Sequence, residues 1–360
     1  MGARPAREHV HLTSQSTGGG HGPLLAGYPV GHMRNGRLHK GLLALVVFAA
    51  CACSSGDPPE ENLEVAARGL YAAAFPRDGT LAVAASLTHG ASLWDLGTQQ
   101  RRFDWNHRKD ERSAITAVAF SPEGGAALTA EGSTLVLWDA RKGEALRFFS
   151  APGDVLSVAL TGGGKLALLG LQDGAALLMD MQAGGVKRRF THDGEVLAVA
   201  MDPEGRLALT GSADGSARLW NTADGVALHR WEHGAPVDVL ALSDDATHVF
   251  SAARGRAALL RDAGSGQTLA EFDVSSMRQA RGEGYSAALF SADGTRLLLG
   301  AVDGRVLMWE VSSARLLKRW KLPRGNMTRA AGSRVIALGF SAAGLQVASG
   351  DGFIHQLRQP

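Results

Sequence analysis

Val196-Leu-Ala-Val-Ala-Met201, Asp202-Pro-Glu-Gly205, Arg206-Leu-Ala-Leu-Thr210, Ala213-Asp214-Gly215 and Leu219-Trp220-Asn221 make up the stretch that decides the fold. An alternating apolar run is followed by a Pro/Gly turn, a second apolar run, an Asp-Gly turn and a third run ending on Trp-Asn. Alternation at period two marks strands with one face buried, and Asp-Gly between such runs is a hairpin signal. The same phrase recurs along the chain. Its closing pair falls at Trp94-Asp95, Trp138-Asp139, Met179-Asp180, Trp220-Asn221, Arg261-Asp262, Trp309-Glu310 and Leu357-Arg358, at intervals of 44, 41, 41, 41, 48 and 48 residues. A period in the low forties with a terminal Trp-Asp reads as four strands per unit. One such unit cannot bury its own apolar face, so the copies must stack.

The first turn of each copy reads Pro76-Arg-Asp-Gly79, Pro122-Glu-Gly124, Gly162-Gly-Gly164, Pro203-Glu-Gly205, Ala292-Asp-Gly294 or Ala343-Gly344. Pro presets the turn and Gly supplies positive φ. A fourth strand follows the Trp slot, as in Ala145-Leu-Arg-Phe-Phe149 and Ala227-Leu-His-Arg-Trp231. The seventh copy shows no fourth strand after Leu357, whereas Asn62-Leu-Glu-Val-Ala-Ala67 stands alone ahead of the first copy and aligns with the fourth-strand position. The expectation is that this N-terminal strand completes the seventh unit and removes the exposed sheet edge of an open array.

These repeats resemble the WD40 family of β-propellers over roughly residues 62–358. The resemblance implies an all-β, seven-bladed β-propeller of four-stranded antiparallel blades, its ring closed by an N-terminal strand. In that family a His before the first strand, a Ser or Thr in the second, an Asp in the next turn and the Trp form a hydrogen-bonded tetrad. Blade four carries all four as His192, Thr210, Asp214 and Trp220. The implied role is structural rather than that of a catalytic triad, because the positions are internal to the blade. Met179 and Arg261 occupy the Trp slot of blades three and five, and those blades are expected to hold by packing instead.

Catalytic and metal motifs are weak. Gly162-Gly-Gly164 has no helix after it and reads as a hairpin turn, not a phosphate loop. The twelve histidines lack paired metal spacing, and neither a nucleophile elbow nor an HExxH is present. The expectation is a non-enzyme with no cofactor and no metal. The alternative is a propeller hydrolase or quinoprotein-like enzyme, which would gather Asp, Glu and His around the central channel.

The chain has 360 residues, 45% of them hydrophobic and 20% charged, as in a well-packed soluble protein. A net charge of +2 is too small to imply nucleic-acid binding. Both cysteines, Cys51 and Cys53, lie ahead of the repeats, so the repeats hold no disulfide and no thiol nucleophile. Arg34, Arg37, His39 and Lys40 precede the apolar run of residues 41–50, the layout of a secretory signal. That run is about half the ~20 residues a spanning helix needs. Phe48-Ala-Ala-Cys51 resembles a bacterial lipobox, with Cys51 as the lipidated residue and Cys53 as second choice. The reading divides the chain into residues 1–32, an upstream extension before Met33; 33–50, a lipoprotein signal peptide; 51–61, a flexible tether; and 62–358, the propeller. Ala52 after the Cys points to the outer membrane, with the propeller facing the periplasm; a soluble periplasmic form is the alternative.

Three links between copies are long: residues 106–113, 274–284 and 321–334, carrying +1, +1 and +4. They supply a partner-binding rim of Arg108, Lys109, Arg112, Arg278, Arg281, Arg324, Arg329 and Arg334. Loops on a rigid scaffold are where binding concentrates, and Arg is favoured at interfaces. The functional expectation is a monomeric protein–protein interaction scaffold whose partner has an acidic surface. An assembly role like that of the propeller lipoprotein of the outer-membrane β-barrel machinery is the alternative.

Overall fold

The computed structural model describes residues 56–86, 90–108, 112–272, 284–323 and 333–359. Among them the chain forms 28 strands and one 3-10 turn, at Gly162–Gly164. The strands group into seven four-stranded antiparallel sheets. Six sheets take consecutive strands, over residues 70–105, 117–150, 155–191, 196–232, 237–272 and 285–321, and form blades one to six. Blade seven combines Val335–Ser341, Gly344–Ser349 and Phe353–Leu357 with Glu61–Glu64. The architecture is the seven-bladed, all-β propeller read from the repeats.

The closing strand is shorter than the expected Asn62-to-Ala67 run. Its ladder covers Glu61–Glu64, with Asn62 opposite His355 and Leu63 opposite Ile354. Val65 and Ala66 then turn away, and both N–H groups donate to the Gly352 carbonyl at 2.9 and 3.1 Å. Gly352 is obligatory there: its φ is +98° and a Cβ would stand 1.8 Å from the Ala66 oxygen. The described end of the segment read as a tether also touches the ring. Asp57 pairs in parallel with Trp320 on the outer strand of blade six; its N–H donates to the Arg319 carbonyl at 3.2 Å, and its carbonyl accepts from Lys321 at 3.0 Å.

Each blade runs from an inner strand at the channel to an outer strand at the circumference. Strand direction alternates, so all inner strands begin on one face, called upper here, which also carries the links between blades. The turns after first and third strands lie on the lower face.

Burial is organised by junction rather than by blade. Apolar clusters sit between blades one and two, two and three, three and four, four and five, five and six, six and seven, and seven and one. This is the packing expected of units that cannot bury a face alone. The Trp slot is central to it. Eleven residues after each slot of blades one to six stands an aromatic residue: Trp105, Phe149, Phe190, Trp231, Phe272 and Trp320. These project onto the slot of the following blade. Trp105 stacks on Trp138 with ring centroids 5.0 Å apart, Phe190 on Trp220 at 5.0 Å, and Phe272 meets Trp309 edge-on at 4.9 Å. At the closing junction Leu63 fills the equivalent position and packs in the cluster that includes Trp94.

Candidate functional site

The blade-four tetrad is a continuous hydrogen-bonded chain. Trp220 Nε1 donates to Thr210 Oγ1 at 2.9 Å, and Thr210 Oγ1 lies 2.7 Å from His192 Nε2. His192 Nδ1 is 3.1 Å from Asp214 Oδ2. With Thr210 accepting from Trp220 and donating its own proton to Nε2, the neutral ring carries its proton on Nδ1 and donates to Asp214. Each polar atom then has a partner in a site where an orphan would be costly. Burial lowers the His192 pKa, assisted by the nearby Arg218 charge. Burial works to raise that of Asp214, but hydrogen bonds from the Ser216 hydroxyl and amide and from the Asp193 amide hold it below the usual carboxylate range. Arg218 Nη2 closes the group at 3.0 Å from Asp214.

Chemically this chain is closed. Thr210 is fully buried and its oxygen is engaged by both Trp220 and His192, so no substrate can reach the hydroxyl. The group ties the link from blade three and the Asp-Gly turn to the body of blade four.

The structure extends this motif to blades where the sequence reading stopped short. In blade two, Trp138 Nε1 donates to Thr129 Oγ1 at 2.8 Å, and Thr129 lies 2.8 Å from His107 Nε2. Glu131 stands in the acidic position, 3.7 Å from His107 Nδ1. The signal was present, since His107 and Thr129 precede Trp138 much as His192 and Thr210 precede Trp220.

In blade five the expectation of packing alone is corrected. Arg261 Nη1 donates to Ser251 Oγ at 2.6 Å, and Ser251 lies 3.1 Å from His233 Nε2. The guanidinium also lies 5.0 Å from the Trp231 ring, where other junctions place two aromatics. A guanidinium is planar, donates from its edge and stacks on its face, so it can do both jobs of an indole. Burial lowers the Arg261 pKa to about 10. Burial, with help from the Arg261 charge, lowers that of His233 to about 4.

Blade seven solves the same problem from another position. His355 lies two residues before the slot; its Nε2 is 2.8 Å from Ser349 Oγ, and its Nδ1 bonds Asn62 of the closing strand. Burial lowers the His355 pKa to about 4.

Two openings lead to the central channel. The upper mouth is lined by Tyr71, Thr116, Leu156, Asp238, Arg334 and Ile336, among others, around a cavity of about 510 Å³. Tyr71 is 53% exposed there, and Asp238 accepts from Arg254 Nε at 2.6 Å. The lower mouth is crossed by an ion pair from Arg77 of blade one to Asp244 of blade five. Burial raises the Asp244 pKa while the Arg77 charge works against the rise.

Of the rim expected from the long links, Arg108, Arg112 and Arg334 are described and exposed, and Arg334 reaches the upper mouth. Lys109, Arg278, Arg281, Arg324 and Arg329 lie outside the described residues, as do Cys51 and Cys53. Among the described residues no helix is long and apolar enough to cross a membrane.

Residues 185–221 match the family described as WD domain, G-beta repeat. A comparison with curated proteins finds no match. The matched stretch holds the whole blade-four tetrad, and the other six blades repeat its sheet. The chain is therefore a seven-bladed β-propeller with a WD40 repeat in its fourth blade.

Proposed function

We propose that this protein is a non-enzymatic scaffold that holds a protein partner with an acidic surface on its upper face. The propeller fold itself is consistent with protein interaction. The observation that carries the finer reading is the upper mouth, where exposed Tyr71 sits with Leu156, Ile336 and Arg334 around one opening. An exposed aromatic and an Arg at the rim of one opening are the residue types that dominate interface energetics. The two links between the most distant slots, residues 274–284 and 321–334, are themselves Arg-rich in sequence. The His–hydroxyl–carboxylate chains support a structural rather than a catalytic role, since their hydroxyls are engaged within the blades.

The layout of residues 33–53 supports a lipid anchor at Cys51 and a place on the periplasmic side of the outer membrane. Replacing Arg324, Arg329 and Arg334 by Glu and repeating affinity capture from a periplasmic extract tests the partner reading. Loss of specific partners is expected, and an unchanged partner set would reject it. Labelling with a radioactive fatty acid tests the anchor, with incorporation expected in the wild type and absent in Cys51→Ala.

A further inference from the structure

The circumference of the ring offers a second surface, distinct from the channel mouths. The outer strand of blade two, Ala145–Ser150, is the last strand of its sheet, so its outer edge meets no other strand among the described residues. Arg147 and Phe149 turn toward blade three: Arg147 Nη1 donates to the Gln182 carbonyl, and Phe149 packs in the cluster between the two blades. Phe148 lies on the opposite side by strand alternation, Leu146 sits at the bulge opposite Leu137 and Trp138, and the two are 61% and 51% exposed.

The equivalent edge of blade six is already occupied, by the chain itself. Asp57 adds to Arg315–Lys321 in parallel through two backbone hydrogen bonds, and its carboxylate lies 3.2 Å from Lys318 Nζ. Lys318 stands nine residues after its Trp slot, and its Nζ is also 3.5 Å from the Arg358 carbonyl of the next blade. Arg147 stands nine residues after Trp138 and caps the next blade in the same way. Leu317 and Leu146 are likewise equivalent, but Leu317 is only partly exposed and packs in the cluster between blades six and seven. Blade two thus presents the framework on which blade six holds the acidic residue Asp57, with no chain in that place among the described residues. At the positions of Leu146 and Phe148, blade three has Lys187 and Arg189 and blade one has Arg102 and Asp104, whereas blades four and five pair an exposed Leu228 or Leu269 with a charge, Arg230 or Glu271.

We propose that the outer edge of blade two docks an extended segment of a partner protein. The segment adds as a fifth strand, places a carboxylate against Arg147 and lays apolar side chains at alternate positions over Leu146 and Phe148. Backbone bonds along the edge supply affinity and the alternate side chains supply specificity. The exposed cations Arg141 and Lys142 just before the strand favour an acidic flank. A second copy fits less well. Twofold pairing centred on Arg147 sets two guanidinium groups opposite each other, and one six-residue edge falls far short of the roughly 1,200 Å² that a stable interface buries.

The test uses the full chain and a fluorescein-labelled peptide, Ser-Val-Thr-Val-Asp-Val-Thr-Gly, followed by fluorescence anisotropy. Binding is expected to weaken by at least about tenfold in Leu146→Asp and in Phe148→Asp, and to weaken in Arg147→Glu or when the peptide Asp becomes Asn. Both apolar positions are exposed, so unchanged melting temperatures will show that these variants fold. N-methylation of alternate peptide amides should abolish binding in one frame and spare it in the other, which side-chain stickiness would not do. Arg334→Glu should leave binding intact. Equal binding by wild type and Phe148→Asp would overturn the proposal, as would indifference to both N-methylation frames. So would sedimentation of the wild type as a dimer that Phe148→Asp splits.

Discussion

Arg261 takes the place of a tryptophan, donating to Ser251 Oγ from its edge at 2.6 Å while its face lies 5.0 Å from Trp231. A buried cation in that role is a costlier solution than an indole, because the charge must leave water. Arg261→Trp is therefore expected to be neutral or to raise the melting temperature. Arg261→Ala removes the donor and the stacking surface together and should cost about 2–4 kcal/mol. Thermal unfolding of the two variants beside wild type checks the order; a stabilised Arg261→Ala would contradict it.

Trp220 and Trp309 occupy the same slot in different surroundings. Trp220 Nε1 has Thr210, whereas Trp309 Nε1 is buried and finds no acceptor among the described residues, with Leu299 in the position of Thr210. Replacement by Phe should then separate them. Trp220→Phe is expected to cost about 1–3 kcal/mol by leaving Thr210 without its donor, and Trp309→Phe to be close to neutral. Truncation is harsher: Trp220→Ala should cost about 3–5 kcal/mol. Chemical denaturation measures all three, and equal losses for the two Phe variants would count against the distinction.

Acid should weaken the fold before its carboxylates titrate. His355 and His233 have folded pKa values near 4 against an ordinary 6.5, so the unfolded chain binds more protons between those values. Stability is then complete above about pH 6.5 and falls as pH drops toward 4, by about 3 kcal/mol for fully buried His355. Asp214 acts in the same direction, its contribution being lost with acid, but only below the usual carboxylate pKa, outside this window. The melting temperature should decline across pH 6.5 to 4, and less steeply in His355→Gln. A flat profile would dismiss the histidines as its cause.

The ion pair between Arg77 and Asp244 crosses the lower mouth, yet its side chains are 40% and 30% exposed. Solvent screening keeps such pairs weak. A double-mutant cycle with Arg77→Ala and Asp244→Ala is expected to return a coupling below about 1 kcal/mol. A larger value would make this contact a structural brace of the ring.

Much of this was legible beforehand, for a physical reason. Hairpin turns need Gly or Pro at fixed offsets and buried strands need alternation, so the blades announce themselves in residue type. The blade-four tetrad was legible because its members are the usual ones. Arg261 was not, since its equivalence to Trp lies in geometry: an edge that donates and a face that stacks. The aromatics eleven residues after each slot are also periodic, but the signal is masked because Trp105 and Trp320 fall in outer strands that look merely amphipathic. Leu146 and Phe148 also looked like ordinary strand residues; what marks them is exposure, a property of position in the ring.

The bond between Asn62 and His355 joins residues 293 apart in sequence. A chain made from its N-terminus exposes Glu61–Glu64 long before the strand they pair with, Phe353–Leu357, is made. Throughout synthesis the first blade therefore lacks the neighbour that covers Leu63 and Trp94, and a product cut short before residue 353 can never supply it. Ring closure thus doubles as a length check: an incomplete chain keeps an apolar junction and a strand edge on display, the features by which chaperones and proteases recognise unfinished protein.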